Sequence, residues 1–110
     1  MDMNLALNAL AALSHETRLG VFRILVQAGP EGLAAGEIAE RLQARQNTMS
    51  SHLKLLHAAA LIDSRRAGRR IMYSANYRTA RELILFLMED CCAGNAEICE
   101  PLAEAFAVNC

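Results

Sequence analysis

Four cysteines, Cys91, Cys92, Cys99 and Cys110, all fall after residue 90 of a 110-residue chain. The N-terminus, Met1-Asp2, lacks the basic start of a signal peptide. A cytoplasmic location is therefore expected, where thiols stay reduced and a structural disulfide is not. Metal or metalloid binding, redox sensing and nucleophilic chemistry remain. Cys91-Cys92-x6-Cys99 offers three soft thiolates with no histidine beside them. Zinc usually takes four ligands, often in CxxC spacing, which this run lacks. Three thiolates fit a three-coordinate thiophilic centre, for which trivalent arsenic or antimony is the plainest candidate. A catalytic thiol needs a neighbouring cation or a helix N-terminus. Here Glu89 and Asp90 precede the pair, and residues 82–110 contain no Lys or Arg. An enzyme is not expected. Cys110 is terminal and is set aside as a ligand.

A second chemistry lies mid-chain. Gln46, Asn47, Thr48, Ser50, Ser51 and Lys54 fall between the apolar Met49, Leu53 and Leu56. On a helix they form one polar face. Gln and Asn amides can pair bidentately with adenine, hydroxyls can donate or accept, and Lys54 suits a phosphate. Soon after come Arg65, Arg66, Arg69 and Arg70 around Gly68, a cationic tip suited to a nucleic-acid backbone. A plain solvated helix face is the alternative for either feature alone. The formal net charge is only −1, yet its distribution is uneven. Residues 1–40 carry −3, residues 41–81 carry +8, with Asp63 their sole acid, and residues 82–110 carry −6. The local field, not the sum, sets attraction to phosphate.

The elements that position these residues follow from periodicity. With 54% hydrophobic and 21% charged residues, the chain is neither disordered nor a disulfide miniprotein, and its length excludes a large α/β enzyme. No apolar run reaches the ~18 residues of a membrane span. Residues 4–13 read as a helix apolar nearly all round, with Leu5, Leu7, Leu10 and Leu13. Ser14 can cap a second helix running to about Ala28, its apolar set Leu19, Phe22 and Val26 widened by Val21 and Leu25. A linker over 31–36 leads to a short helix at 37–42 and then the polar-faced helix at about 46–59. Two short strands flank Gly68 in a hairpin over about 61–76. Residues 78–90 return to helix, with Ala80, Leu83, Ile84, Leu87 and Met88 on one stripe and Leu85 and Phe86 opposite. In the cysteine-bearing tail, 91–110, Leu102, Ala103, Ala105, Phe106 and Val108 predict a short helix over the core. His15, His52 and His57 read as structural, with phosphate contact the one functional option for His52.

The order helix, helix, helix-turn-helix, hairpin, helix is mainly α with a small β-hairpin. It describes a winged helix-turn-helix as a single domain over 1–110. The first and last helices of the folded part carry surplus apolar surface, so a homodimer through them is expected.

Three segments, Ala12-Leu13-Ser14-His15-Glu16-Thr17-Arg18-Leu19, Asn47-Thr48-Met49-Ser50-Ser51-His52-Leu53-Lys54-Leu55-Leu56 and Leu61-Ile62-Asp63-Ser64-Arg65-Arg66-Ala67-Gly68-Arg69-Arg70, resemble the ArsR/SmtB family of metal- and arsenic-responsive repressors. The likeness spans about residues 5–90. It implies a homodimeric repressor that holds double-stranded operator DNA and leaves it when an inducer binds, with no organic cofactor and no membrane partner. By this resemblance Gln46, Asn47, Thr48, Ser50, Ser51, Lys54, Arg66, Arg69 and Arg70 contact DNA. The Cys91, Cys92 and Cys99 tail is similar to that of arsenite-responsive members. The family's other sensor positions are absent: no Cys in residues 34–42, no His in 78–90 and no Cys near the N-terminus. Two departures concern helix ends. Arg45 stands where the family often has a Ser cap, and Ala60 where it often has Gly. The alternative is a repressor of the same fold that senses redox state or reactive sulfur through these cysteines.

Overall fold

The structure, a computed structural model, describes residues 1–89 and 96–109. Helices α1 (Met3–Leu13) and α2 (Glu16–Ala28) precede a two-residue strand, β1 (Leu33–Ala34). Helices α3 (Ala35–Leu42) and α4 (Gln46–Ala58) come next, then β2 (Ile62–Ala67), β3 (Arg70–Ala75), α5 (Tyr77–Met88) and α6 (Ala96–Asn109). The fold is mostly helical with a three-stranded antiparallel sheet in the order β1-β3-β2. The expected hairpin is present, and β1 is the addition. It pairs Leu33 with Tyr73 and Ala34 with Met72. Gly32 makes that pairing possible: its φ is +73°, and a Cβ there would sit 2.0 Å from the Tyr73 carbonyl oxygen. A two-residue strand is too short to show an alternating pattern, so sequence periodicity reads the segment as linker.

The core forms where α2, α3, α4 and the sheet meet. Val21, Leu25, Ile38, Met49, Leu56, Leu61 and Ile62 are its largest fully buried side chains, each contributing about 1.5–3 kcal/mol of apolar burial. Met49, Leu53 and Leu56 are the inner face of α4, as their spacing predicts. In α2 the choice of face is corrected. Val21 and Leu25 are buried, while Leu19 and Val26 are 45% and 40% exposed. The cap is corrected too: His15 Nδ1, not Ser14, accepts from the Thr17 N–H at 3.1 Å, and Ser14 ends α1.

Helix α1 turns its small residues inward. Ala6, Ala9 and Ala12 are buried, whereas Leu5 and Leu7 are each 54% exposed. Alanines let α1 lie close against α2 and α4, and the leucines are left facing out. The predicted stripe on α5 divides likewise: Leu83 is buried, and Ile84 and Leu87 are exposed, as is Leu85 opposite them. Helix α6 forms, but it does not cover the core of its own chain, since Leu102, Ala103, Ala105 and Phe106 are all exposed. That core is already closed by α1 to α5 and the sheet. The side chain of Val108 lies outside those described.

The end of α4 passes directly into the wing. Leu61 N–H donates to the Leu56 carbonyl and Ala60 N–H to the His57 carbonyl, at 3.1 and 2.9 Å. Leu61 and Leu56 are both fully buried, completing a Schellman termination with its apolar contact. That motif places one residue in the left-handed region, here Ala60 with φ +60°. For a residue with a Cβ this conformation costs roughly 1–2 kcal/mol. Ala60→Gly is therefore expected to stabilise the chain by about 1 kcal/mol. Urea unfolding of both proteins reads this directly, and an unchanged or lower midpoint would mean that Ala60 is not strained.

Candidate nucleic-acid interface

Helix α4 begins after a three-residue turn, Gln43-Ala44-Arg45. Arg45, at its N-cap, supplies no side-chain cap. The helix compensates from within: Thr48 Oγ1 donates to the Arg45 carbonyl at 2.9 Å, and Asn47 Oδ1 accepts from the Thr48 N–H at 2.9 Å. The Asn47 side-chain N–H2 makes no hydrogen bond among the described residues. Gln46, Asn47, Thr48, Ser50, Ser51 and Lys54 are all exposed. Helical spacing puts Asn47, Ser51 and Lys54 opposite buried Met49, Leu53 and Leu56 with Thr48 and Ser50 to the sides, while Gln46 lies on the side of Gly36 in α3. An exposed helix with such amides and hydroxyls has the dimensions and donor set of a major-groove reader.

The wing sorts its arginines by the alternation of strand side chains. Arg65 pairs across to Met72, Arg66 to Ile71 and Ala67 to Arg70, so Arg65 and Arg70 share one face and Arg66 takes the other. The first face is tied to the protein. Arg65 donates to the Glu31 carbonyl at 2.8 Å, and Arg70 forms an ion pair with Glu37 of α3. Arg66 and the tip residue Arg69 make no side-chain hydrogen bond or ion pair among the described residues. Gly68, with φ +65°, occupies the first central position of the two-residue turn, where a positive φ is required.

Glu37 does two jobs. Its Oε1 accepts from the Ala34 N–H at 3.1 Å, satisfying a donor at the start of α3 that alanine cannot cap. That bond, opposed by partial desolvation and aided by Arg70, holds the carboxyl below its ordinary value of 4.5. The wing is thereby fastened to the first helix of the pair through Arg70. Above 4.5 this contribution is complete, and it fades as pH falls through the lowered value.

A helix-turn-helix domain model matches residues 13–65. The regulator YgaV of Escherichia coli, described as an HTH-type transcriptional regulator, is 32% identical over 83 residues, covering 76% of this chain and 82% of its own. An ArsR-like transcriptional regulator from Rhodococcus superposes with a TM-score of 0.69 at 28% identity, covering 96% of this chain and 92% of that one. A homodimeric winged helix-turn-helix DNA-binding domain from Mycobacterium bovis, described as a possible ArsR-family transcriptional regulator, superposes at 0.66 with 25% identity, each chain covered to 78%. The chain belongs to the ArsR-like helix-turn-helix transcriptional regulators. Its relatives are regulators, not enzymes, in accord with the acidic setting of its thiols.

In this ArsR-like chain the predicted sensor lies mostly outside the described residues. Cys91, Cys92 and Cys110 are not among them. Cys99 falls within α6, the helix that comes after the junction with α5. No helix among the described residues is long and apolar enough to cross a membrane.

What sequence spacing missed is the pairing of distant polar groups: Arg70 with Glu37, Arg65 with Glu31, and Arg18 with His52. Each joins residues more than 30 positions apart, beyond the reach of any local pattern. Arg69→Ala is expected to weaken binding to all duplex sequences alike and to lower the salt slope by at most about 1. Asn47→Ala should instead relax preference at one base position by roughly 1–3 kcal/mol. Fluorescence anisotropy over a salt series on specific and random duplexes separates them. Equal losses on random DNA for Asn47→Ala would remove that residue from the base-reading set.

Proposed function

We propose that this regulator is a homodimeric repressor that holds operator DNA with α4 and the wing. It leaves that DNA when trivalent arsenic or antimony binds Cys91, Cys92 and Cys99. The observation that carries the DNA half is that the polar residues of α4, with Arg66 and Arg69 of the wing, are all exposed inside the segment of net charge +8. In the operator complex Gln46 and Asn47 face base edges, Thr48, Ser50 and Ser51 supply hydroxyls, and Lys54, Arg66 and Arg69 meet phosphates. Arg70 delivers its charge there only in competition with Glu37.

The inducer half rests on donor chemistry. Three thiols exchange their protons for bonds to arsenic, and three hydroxyls of arsenous acid leave as water. Such a reaction does not need a preformed thiolate, which suits cysteines beside Glu89 and Asp90. A reducing cytoplasm keeps the three thiols available. Because α5 ends at Met88 and α6 starts at Ala96, a centre joining Cys91 and Cys92 to Cys99 ties the end of one helix to the start of the next.

Dimerisation supplies the route to DNA. Met3, Leu5, Leu7 and Leu10 on α1 and Ile84, Leu85 and Leu87 on α5 are exposed, and α1 lies against α5. Exposed large apolar residues on two neighbouring helices are what an association site presents, and the Mycobacterium bovis relative is homodimeric. A changed α5–α6 angle then alters the spacing of the two reading helices, which must fit half-sites about one helical turn apart.

Two experiments test the reading. Leu85→Glu should give a helical monomer in sedimentation with greatly weakened DNA binding; a persistent dimer would place the interface elsewhere. The second is a titration with arsenite, antimonite, zinc, cadmium and peroxide on a duplex selected from a random pool. Arsenite and antimonite should release the DNA and add a thiolate-to-metalloid ultraviolet band that Cys92→Ser abolishes. An unchanged spectrum overturns the metalloid reading. Release by peroxide with loss of thiols, and none by arsenite, selects the redox alternative. Failure to select any duplex overturns the DNA reading.

A further inference from the structure

Three polar side chains meet where α1, α2 and α4 converge. Arg18 of α2 is half-buried. Its Nε donates to the Ala12 carbonyl at 2.6 Å, and its terminal nitrogen Nη1 lies 3.4 Å from His52 Nδ1 on α4. A guanidinium is donor-only and keeps its charge in proteins. His52 Nδ1 must therefore act as acceptor, with the imidazole neutral and its proton on Nε2. The His15 ring sits beside it, centroids 4.6 Å apart and tilted by 40°. Besides His57 Nε2, which lies 3.5 Å from Ser64 Oγ of the wing, α4 packs on the body through the apolar Met49, Leu53 and Leu56. Such contacts hold a helix in place but are non-directional. The Arg18 fork is the polar contact that sets α4 against the end of α1, the helix bearing the exposed leucines.

We propose that Arg18 and His52 are positioning residues for the DNA-reading helix, forming a clamp between α1 and α4 that holds only while His52 Nδ1 carries no proton. Protons then become a second input to operator release, independent of the cysteines. The inference rests on the DNA-binding reading and deepens it.

The groups facing His52 are His15 and Arg18 on the α2 side, while α1 presents the Ala12 carbonyl through Arg18. Burial, then the charges of His15 and Arg18, hold the imidazole below its ordinary value of 6.5. The folded chain thus binds fewer protons than the unfolded one between that lowered value and 6.5. Stability rises with pH across this window, so the clamp is complete above 6.5 and weakens as pH falls through it.

The test compares wild type with His52→Asn, whose amide oxygen keeps the acceptor without titrating, on a duplex selected by the wild-type protein. Far-ultraviolet circular dichroism at each pH confirms that both remain folded. The two should bind alike at pH 7.5. Between pH 7.5 and 5.5 the wild type should weaken severalfold more than His52→Asn, with about tenfold the ceiling for an imidazole of ordinary pKa. Arg18→Lys, which cannot span both partners, should bind more weakly at neutral pH and show a shallower response. Parallel pH profiles for wild type and His52→Asn would overturn the proposal, as would tighter wild-type binding in acid, which would make His52 a phosphate contact. Should the wild type select no duplex, the DNA reading fails while the clamp stays testable by NMR without DNA. The Arg18 Nε–H signal must persist at high pH and exchange away as His52 protonates, and a signal indifferent to that titration rules the clamp out.

Discussion

The buried side of α4 is the constraint on which the rest of this protein depends. Met49, Leu53 and Leu56 are withdrawn from water against α2, α3 and the first residues of the wing. Only because that side is held can the opposite side project amides and hydroxyls as a fixed array. The same burial governs how the chain leaves the helix. Leu61 must pack on Leu56, so the chain reverses through a left-handed Ala60 and enters β2 at once. Helix α4 and the wing are thus joined by only three residues, Ala59 to Leu61. The wing is fastened a second time through Arg70 and Glu37, at the start of the helix preceding the turn.

A charge distribution that sums to nearly nothing works here because its parts are separated. The basic segment includes α4 and the wing, while the acids of residues 82–110 share their stretch of sequence with the cysteines. Acidity beside the cysteines in the sequence opposes chemistry in which a free thiolate attacks. Within the wing, strand alternation separates arginines that hold the fold from those that face outward. Four cations around one glycine are therefore not four equivalent contacts.

Alanine inside and leucine outside gives α1 its character. A helix seated on Ala6, Ala9 and Ala12 can approach its neighbours closely, and the close approach brings Ala12 within reach of Arg18. It also leaves large apolar side chains in water, next to those of α5. The surface offered for association and the polar link to the reading helix are two consequences of the same packing choice.

Much of the reading machinery was legible in the residues themselves. The inner face of α4, the glycine at the wing tip, the order of elements and the basic middle are local patterns, and local patterns survive in a sequence. The structure decided what such patterns leave degenerate. In α1 apolar residues surround the helix, so periodicity could not say which side turns in; packing distance selected the alanines. In α2 two overlapping apolar stripes competed, and Val21 with Leu25 won over Leu19 with Val26. Strand β1 is too short to carry a period and exists only because β3 offers it an edge. Helix α6 carries apolar residues, yet Leu102, Ala103, Ala105 and Phe106 are exposed. His52 beside Arg18, Glu31 beside Arg65 and Glu37 beside Arg70 each lie more than 30 residues away. Composition and spacing describe what each segment can do alone. Which donor meets which acceptor across the fold is settled only when the helices pack, because burial in the common core brings those segments together.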